Sequence, residues 1–364
     1  SLTDGGDYEA LQHHMAEGTI LLSGRHLQHG DARQKERLGT VFTNCSTAMF
    51  RTHLFELLLS GSGVGSSYDD DLMIVDWTKQ PRVVCTIDNG LQGYMSTRDA
   101  EHLYVNDEII VHMVEDSREG WAKAVEKIET MTYAQKQDTV LVLDFSQVRE
   151  RGRPIKGMQN RPASGPGPLM DAIVKVNRLR GADMPRWRAA LFVDHYLAEC
   201  VLVGGARRAA RIATKYWRDP DIFDFLDVKR PTEFLGKSWD EIDGLTGMSF
   251  LWSSNNSVAV DDEFYAALER GDDWASAVNE GIKRRQYHDR TGEAGFLNVS
   301  KLETNLEGVE RYLREPFAKG GTPELNEMQM ILASVVFDHP YTYIVNPCSE
   351  IPLFILCGFC VVGD

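Results

Sequence analysis

Thr139–Phe145 (TVLVLDF) is an almost unbroken apolar run of strand length. A half-exposed strand would alternate polar and apolar residues, so such a run implies a strand covered on both faces. That is the position of a parallel strand flanked by helices, and it restricts the chain to folds in which strands and helices alternate. The neighbouring patterns agree. Ser46–Ser60 reads as a helix, with Ser46 as candidate N-cap and Met49, Phe50, Leu54, Leu57 and Leu58 on its apolar face. It runs into Gly61-Ser62-Gly63-Val64-Gly65, where the backbone must pass close to something or take positive φ. Asp116–Met131 reads as an amphipathic helix with Trp121, Val125 and Ile128 inward, and Leu169–Leu179 as another helix. Arg149–Pro168 holds four prolines and four glycines and is expected to be a loop. Ala189–Val193 and Ala209–Tyr216 are expected strands, and Asp261–Ile282 an expected helix with an acidic first turn. No repeat, low-complexity linker or shift in composition divides the chain, so the expected fold class is α/β.

Bulk properties exclude several functions. Of 364 residues, 43% are hydrophobic and 26% charged, ordinary for a globular chain. Lys and Arg total 39 against 54 Asp and Glu, a net charge of -15. Nucleic-acid binding needs a positive footprint, so nucleic acid is not an expected partner. A single nucleotide is still accommodated by a few arginines and a helix N-terminus. No apolar run is long enough for a bilayer, so no membrane association is expected. Ser1–Glu9 lacks the pattern of a signal peptide. The six cysteines (45, 85, 200, 348, 357 and 360) are too few for a disulfide framework in a chain this size. A reducing cytoplasm, the host's if the protein is viral, is the expected setting.

The sharpest segment is Tyr343–Asp364 (YIVNPCSEIPLFILCGFCVVGD). Asn346, Cys348 and Glu350 share parity, so in extended backbone they point the same way, roughly 6.5–7 Å apart from one to the next. Pro347 cannot donate a ladder hydrogen bond, which makes a loop or finger the better reading than an interior strand. A carboxylate beside a thiol raises the thiol pKa and reduces the thiolate, and no histidine stands nearby in sequence to activate it. The set suits a different division of work. The thiol transfers a hydrogen atom while the ionised carboxylate takes a hydroxyl proton. The bland alternative is a buried cysteine in a chance turn.

Asn346-Pro-Cys-Ser-Glu-Ile351 resembles the finger loop of ribonucleotide reductase catalytic subunits. The resemblance implies that Cys348 becomes a thiyl radical and takes the substrate 3′-hydrogen, that Glu350 deprotonates the 3′-hydroxyl, and that Asn346 holds the ribose. Asn44-Cys45, just before the helix ending in GSGVG, resembles the family's first reducing cysteine. Cys360 would be its partner, with Cys357 in reserve, since the spacing departs from the family's by a residue. The bland alternative for Cys357-Gly-Phe-Cys360 is half a zinc site. Cys85 and Cys200 sit in apolar contexts and read as core. By the same resemblance Asn44, Ser46, Gly63, Gly65, Asn255 and Asn256 are expected near substrate. Asp144, Ser146, Arg153 and Lys156, with the loop residues Gly204, Gly205, Arg207 and Arg208, are expected to bind a nucleotide effector and report it to the substrate site. Standing alone, Arg207 and Arg208 would be a solvated basic turn.

The resemblance covers about Leu21 to Asp364. It implies a ten-stranded α/β barrel of the ribonucleotide reductase and glycyl-radical type with a central finger loop, of which this chain would be the first part. Residues 1–40 are expected to be a helical lead-in and 41–364 the catalytic barrel, with the finger loop at 344–356. No ATP-cone domain is expected, and the second half-barrel and C-terminal cysteine tail are expected to lie outside the chain. The implied activity is reduction of ribonucleoside di- or triphosphates to deoxyribonucleotides. A protein thiyl radical would be started by adenosylcobalamin or by a separate ferritin-like metal subunit. The implied partners are a deoxynucleoside triphosphate or ATP effector, a thioredoxin- or glutaredoxin-like reductant and a second copy in a homodimer, since the family's effector site commonly forms between two subunits and no long insertion is evident to replace the partner surface. Two other functions remain open: a glycyl-radical enzyme on the same barrel, which has no use for the Cys45 and Cys360 pair, and a non-catalytic nucleotide-binding regulator, which has no use for Asn346 and Glu350.

Overall fold

The computed structural model describes residues 5–20, 43–88, 95–155, 160–201, 209–229, 233–234, 237–238, 251–289, 293–302, 304–314, 322–345 and 352–361. The strands, in chain order, are β1 (Thr43–Ala48), β2 (Gly63–Ser67), β3 (Arg82–Thr86), β4 (Glu108–Met113), β5 (Thr139–Asp144), β6 (Pro154–Ile155), β7 (Arg161–Pro162) and β8 (Arg211–Tyr216). They continue with β9 (Glu233–Phe234), β10 (Lys237–Ser238), β11 (Ser254–Val260), β12 (Gly295–Asn298), β13 (Tyr343–Val345), β14 (Pro352–Phe354) and β15 (Cys357–Val361).

The fold is α/β, as expected. Its main sheet has the order β12-β11-β8-β2-β1-β15. The first five strands run parallel and β15 is antiparallel to β1. β3, β5 and β4 form a second, all-parallel sheet with β5 in the middle. The TVLVLD run is therefore a central parallel strand, and all six of its residues are buried. The two sheets share one core, in which Trp77, Trp187, Trp217, Tyr68 and Phe55 are fully enclosed.

Three expectations change. Ala189–Val193 is not a strand but the middle of a helix, Arg186–Cys200, buried on nearly all sides. A short apolar run has no period to separate strand from enclosed helix, and here the flanking turns decide. Ser46 is not an N-cap: it lies within β1, and the helix that follows is Arg51–Leu59. Its N-cap Phe50 offers no side-chain acceptor. Glu129, in the helix Arg118–Tyr133, replaces one by accepting from Arg51 N and Thr52 N at 2.8 Å and from Thr52 Oγ1 at 2.7 Å. Finally, Asp261–Ile282 is two helices, Asp262–Arg270 and Asp273–Asp289. Gly271 ends the first at φ +75, a conformation that suits glycine, and Asp272 caps the second through Ala275 N at 2.8 Å. Among the described residues no helix is long and apolar enough to cross a membrane.

Candidate active site

β13 and β14 form an antiparallel hairpin in which Val345 opposes Pro352. Asn346, Cys348 and Glu350 lie outside the described residues. The base of the hairpin is tied to the main sheet at two points. Thr47 Oγ1 on β1 donates to Phe354 O at 2.6 Å. On β2, a Cβ at Gly65 would stand 2.5 Å from Val345 O, so glycine is what lets the finger's first strand lie against the sheet.

Strand register shows which residues share the finger's face. Thr47, Gly65, Ile212 and Asn255 are aligned across β1, β2, β8 and β11. Alternation puts Cys45, one step back along β1 and paired with Gly63, on that same face. Antiparallel pairing sets Cys45 opposite Cys360, and Cys357 opposite Ala48. Residues directly opposed across antiparallel strands have Cα atoms roughly 4.5–5.5 Å apart, within the span of a disulfide, about 4.4–6.8 Å. Position 357 is out of phase with 360 and falls on the sheet's other face.

The remaining expected contacts divide. Asn255 is exposed on the finger's face, whereas Asn256 is buried on the other, accepting from Ser254 Oγ at 3.1 Å. Ser46 also turns away from the finger, its hydroxyl 2.9 Å from Ser62 Oγ and donating to Gly63 O at 3.2 Å. Asn44 Nδ2 lies 3.7 Å from Cys45 Sγ. Asp144 and Ser146 stand at the C-terminal end of β5, where Asp144 Oδ1 accepts from Ser146 N at 2.9 Å and from Ser146 Oγ at 2.5 Å. Thr97 Oγ1 donates to the other oxygen of Asp144 at 2.9 Å. The carboxyl ends of open parallel strands are the usual place for ligands in such sheets. Arg153 is exposed and only loosely paired with Glu150, at 3.9 Å. Lys156, Gly204, Gly205, Arg207 and Arg208 lie outside the described residues. Cys85 and Cys200 are buried, as expected, and burial pushes both thiols up, Cys85 to about 12.

Four positions went unnoticed in the sequence reading: Thr47, which holds the finger's outgoing strand, and Asp69, His339 and Tyr341, which surround its approach. A histidine and a tyrosine just ahead of the cysteine-bearing segment were the available signal.

Comparison with known proteins shows what the chain is similar to. The family model described as B12-dependent ribonucleotide reductase, insertion domain, matches residues 88–180, which contain β4 and β5 of the second sheet. A putative adenosylcobalamin-dependent ribonucleoside-triphosphate reductase of Mycobacterium phage D29 is 30% identical over 372 residues, covering 96% of this chain and 47% of the relative. The adenosylcobalamin-dependent ribonucleoside-triphosphate reductase of Lacticaseibacillus paracasei is 25% identical over 79% of this chain and 38% of its own length. A solved structure titled as B-12 dependent (class II) ribonucleotide reductase aligns with TM-score 0.47 at 24% identity, over 68% of this chain and 32% of that one. Over nearly its whole length the chain is thus similar to adenosylcobalamin-dependent ribonucleoside-triphosphate reductases, and its residues 88–180 match a B12-dependent ribonucleotide reductase domain. It spans about half the length of the phage relative and less of the others.

Proposed function

We propose that this chain is the first part of a ribonucleotide reductase catalytic subunit acting on ribonucleoside triphosphates. The observation that supports this best is the juxtaposition of Cys45 and Cys360 across β1 and β15, on the face over which the finger hairpin lies. A glycyl-radical enzyme on a similar barrel has no use for that pair. The main sheet is then the start of a ten-stranded barrel, with β15 the first strand of the opposite half.

In this reading the Cys348 thiyl radical takes the 3′-hydrogen, Glu350 takes the 3′-hydroxyl proton, and Asn346 holds the ribose. The 2′-hydroxyl leaves as water. Cys45 and Cys360 supply two electrons and close a disulfide, and the 3′-hydrogen returns from Cys348. An external dithiol of thioredoxin or glutaredoxin type then reopens the disulfide, which requires a reducing, cytoplasmic setting. Starting the radical is assigned to adenosylcobalamin rather than to a separate metal subunit, on the strength of the relatives' names. Among the described residues no group of His, Cys, Asp and Glu could hold a metal ion. A nucleotide effector is placed near Asp144 and Ser146. A homodimer was expected because the family's effector site commonly forms between two subunits, with no long insertion evident to replace the partner surface. The match over residues 88–180 removes that reason, and sedimentation of the complete protein with and without deoxynucleotide decides the matter.

The test is conversion of ribonucleoside triphosphates by the complete protein with adenosylcobalamin and a dithiol. Cys348→Ser should abolish turnover and leave nucleotide binding intact. Cys360→Ser should stop repeated turnover, whereas Cys357→Ser should not. Turnover by Cys348→Ser would refute the reading.

A further inference from the structure

A buried carboxylate that the radical chemistry does not use sits where the chain enters the finger. Asp69 lies two residues beyond β2 and is buried. Its Oδ2 accepts from Ser67 Oγ at 2.9 Å and from Tyr341 Oη, and its Oδ1 accepts from Tyr216 N at the end of β8. His339 Nε2 stands 3.0 Å from Oδ2 but is not aligned as a hydrogen-bond donor, so this contact is ionic. On its other side His339 Nδ1 is 2.8 Å from Asp71 Oδ2. The His339 and Tyr341 rings meet edge to face at 4.5 Å, and Tyr341 packs against Tyr216 at 6.0 Å.

An ionised carboxylate in a dry core is costly unless its lone pairs are filled and a counter-charge is near. Here both conditions are met, and the partners come from three separate parts of the fold. Ser67 belongs to β2 and Tyr216 to β8. His339 is the C-cap of the helix Pro323–Asp338, and Tyr341 is two residues short of β13. Lys215, the other nearby cation, is occupied by Tyr68 O, Asp70 and Asp219 at 2.8–2.9 Å, which leaves His339 as the direct counter-charge of Asp69. Burial alone would push His339 down, yet Asp69 and Asp71 hold it up at about 9. Burial pushes Asp69 up, but His339, Tyr341 and Lys215 outweigh it and bring the carboxyl below its ordinary value. The pair is thus charged at neutral pH. Gly65, on the same strand, touches the finger again at Val345 O. β2 and the residues just after it therefore hold the finger's first strand at two levels, through Asp69 where the chain arrives and through Gly65 at Val345.

We propose that Asp69, His339 and Tyr341 are positioning residues that set where β13 lies against β2, and so govern the hydrogen-transfer step rather than nucleotide binding. The proposal rests on the function assigned above. Its test compares the complete protein with Asp69→Asn, His339→Gln and Tyr341→Phe. Reach errors of about 1 Å cost on the order of 10²-fold in rate. The expected result is therefore a kcat lowered by about ten-fold or more, with KM within about two-fold of wild type. Alkylation of Cys348 by iodoacetamide, mapped by mass spectrometry, should change by about three-fold or more, since thiol reactivity follows access and surroundings. Should Asp69→Asn fail to fold, His339→Gln and Tyr341→Phe, which leave the carboxylate in place, carry the test. Folded variants with wild-type kcat and wild-type Cys348 labelling would overturn the proposal, as would parallel losses in kcat and nucleotide affinity. If the wild-type protein makes no deoxynucleotide, the functional reading fails, and the labelling contrast still decides whether these residues position the finger.

Discussion

Replacing Gly65 by alanine tests the placement of the finger most directly, because the clash can be worked out from the backbone. The added Cβ would lie 2.5 Å from Val345 O, 3.1 Å from Ile212 Cγ2 and 3.5 Å from Thr47 Cγ2. Ordinary contact begins at 3.4 Å, so the Val345 carbonyl must retreat by 3.4 − 2.5, or about 0.9 Å. Gly65 is not among the residues with positive φ, so alanine keeps the backbone conformation and the contact is the whole cost. The hairpin cannot yield freely, because Thr47 Oγ1 holds Phe354 O at 2.6 Å on its other strand. Overpacking of this size costs about 1–3 kcal/mol in stability. A shift approaching 1 Å at Val345, three residues ahead of Cys348 in the chain, corresponds to about 10²-fold in rate. The assay is steady-state reduction of ribonucleoside triphosphate by the complete protein, with the melting midpoint measured alongside. Gly167→Ala is the control, since a Cβ there meets nothing within 4 Å. A folded Gly65→Ala enzyme with kcat within about two-fold of wild type would refute the contact and, with it, the stated path of the finger over β2.

Three further outcomes are expected. Glu129→Ala should destabilise the helix Arg51–Leu59 by about 3 kcal/mol, because it strips the cap and leaves the Arg51 charge short of a partner. Hydrogen exchange at the Arg51 and Thr52 amides reads this directly, and unchanged protection would count against it. His339 should make stability fall with alkali. Its folded value, about 9, exceeds its unfolded 6.5, so its contribution is complete below pH 6.5 and disappears as pH rises through 9, about 3 kcal/mol in all. The groups facing it are Asp69, Asp71 and Tyr341, and the melting difference between wild type and His339→Gln should vanish above that window. Asn255→Ala should weaken substrate use more than Asn256→Ala alters it at equal stability, because only Asn255 is on the finger's face; the reverse order in kcat/KM would contradict the register.

What could be read from the sequence divides along the range of the interactions. β5 announced itself because a buried parallel strand carries its signature within six residues. The helix Arg118–Tyr133 was equally plain, because its inward residues Trp121, Val125 and Ile128 are spaced at helical period. β1 gave no such sign. Thr43–Ala48 (TNCSTA) has neither apolar alternation nor a branched apolar run, and its partner β15 lies some three hundred residues downstream. Thus Ser46 looked like a cap. Cys360 could be favoured over Cys357 by resemblance, yet the physical reason, opposite faces of one strand, exists only once the register is known. Asp69 was hidden for the same reason: three adjacent aspartates look like a solvated turn until His339 and Tyr341 arrive from far along the chain.

The small residues of the main sheet follow from the finger. Cys45, Thr47, Gly63, Gly65 and Ser67 line the face on which the hairpin lies, and a larger side chain at Gly65 would meet its backbone. Strands built of such residues gain little from burial on that face. Their position must be held from the other one, where Leu54, Phe55 and Leu58 of the helix joining β1 to β2 enter the core. That helix is in turn held by Glu129, a carboxylate from the helix that leads into β5. The polar sheet face and the distant cap are therefore consequences of one requirement. A backbone finger can be laid across a sheet only if the sheet gives up its own side chains there, and the order lost on that side has to be restored from behind.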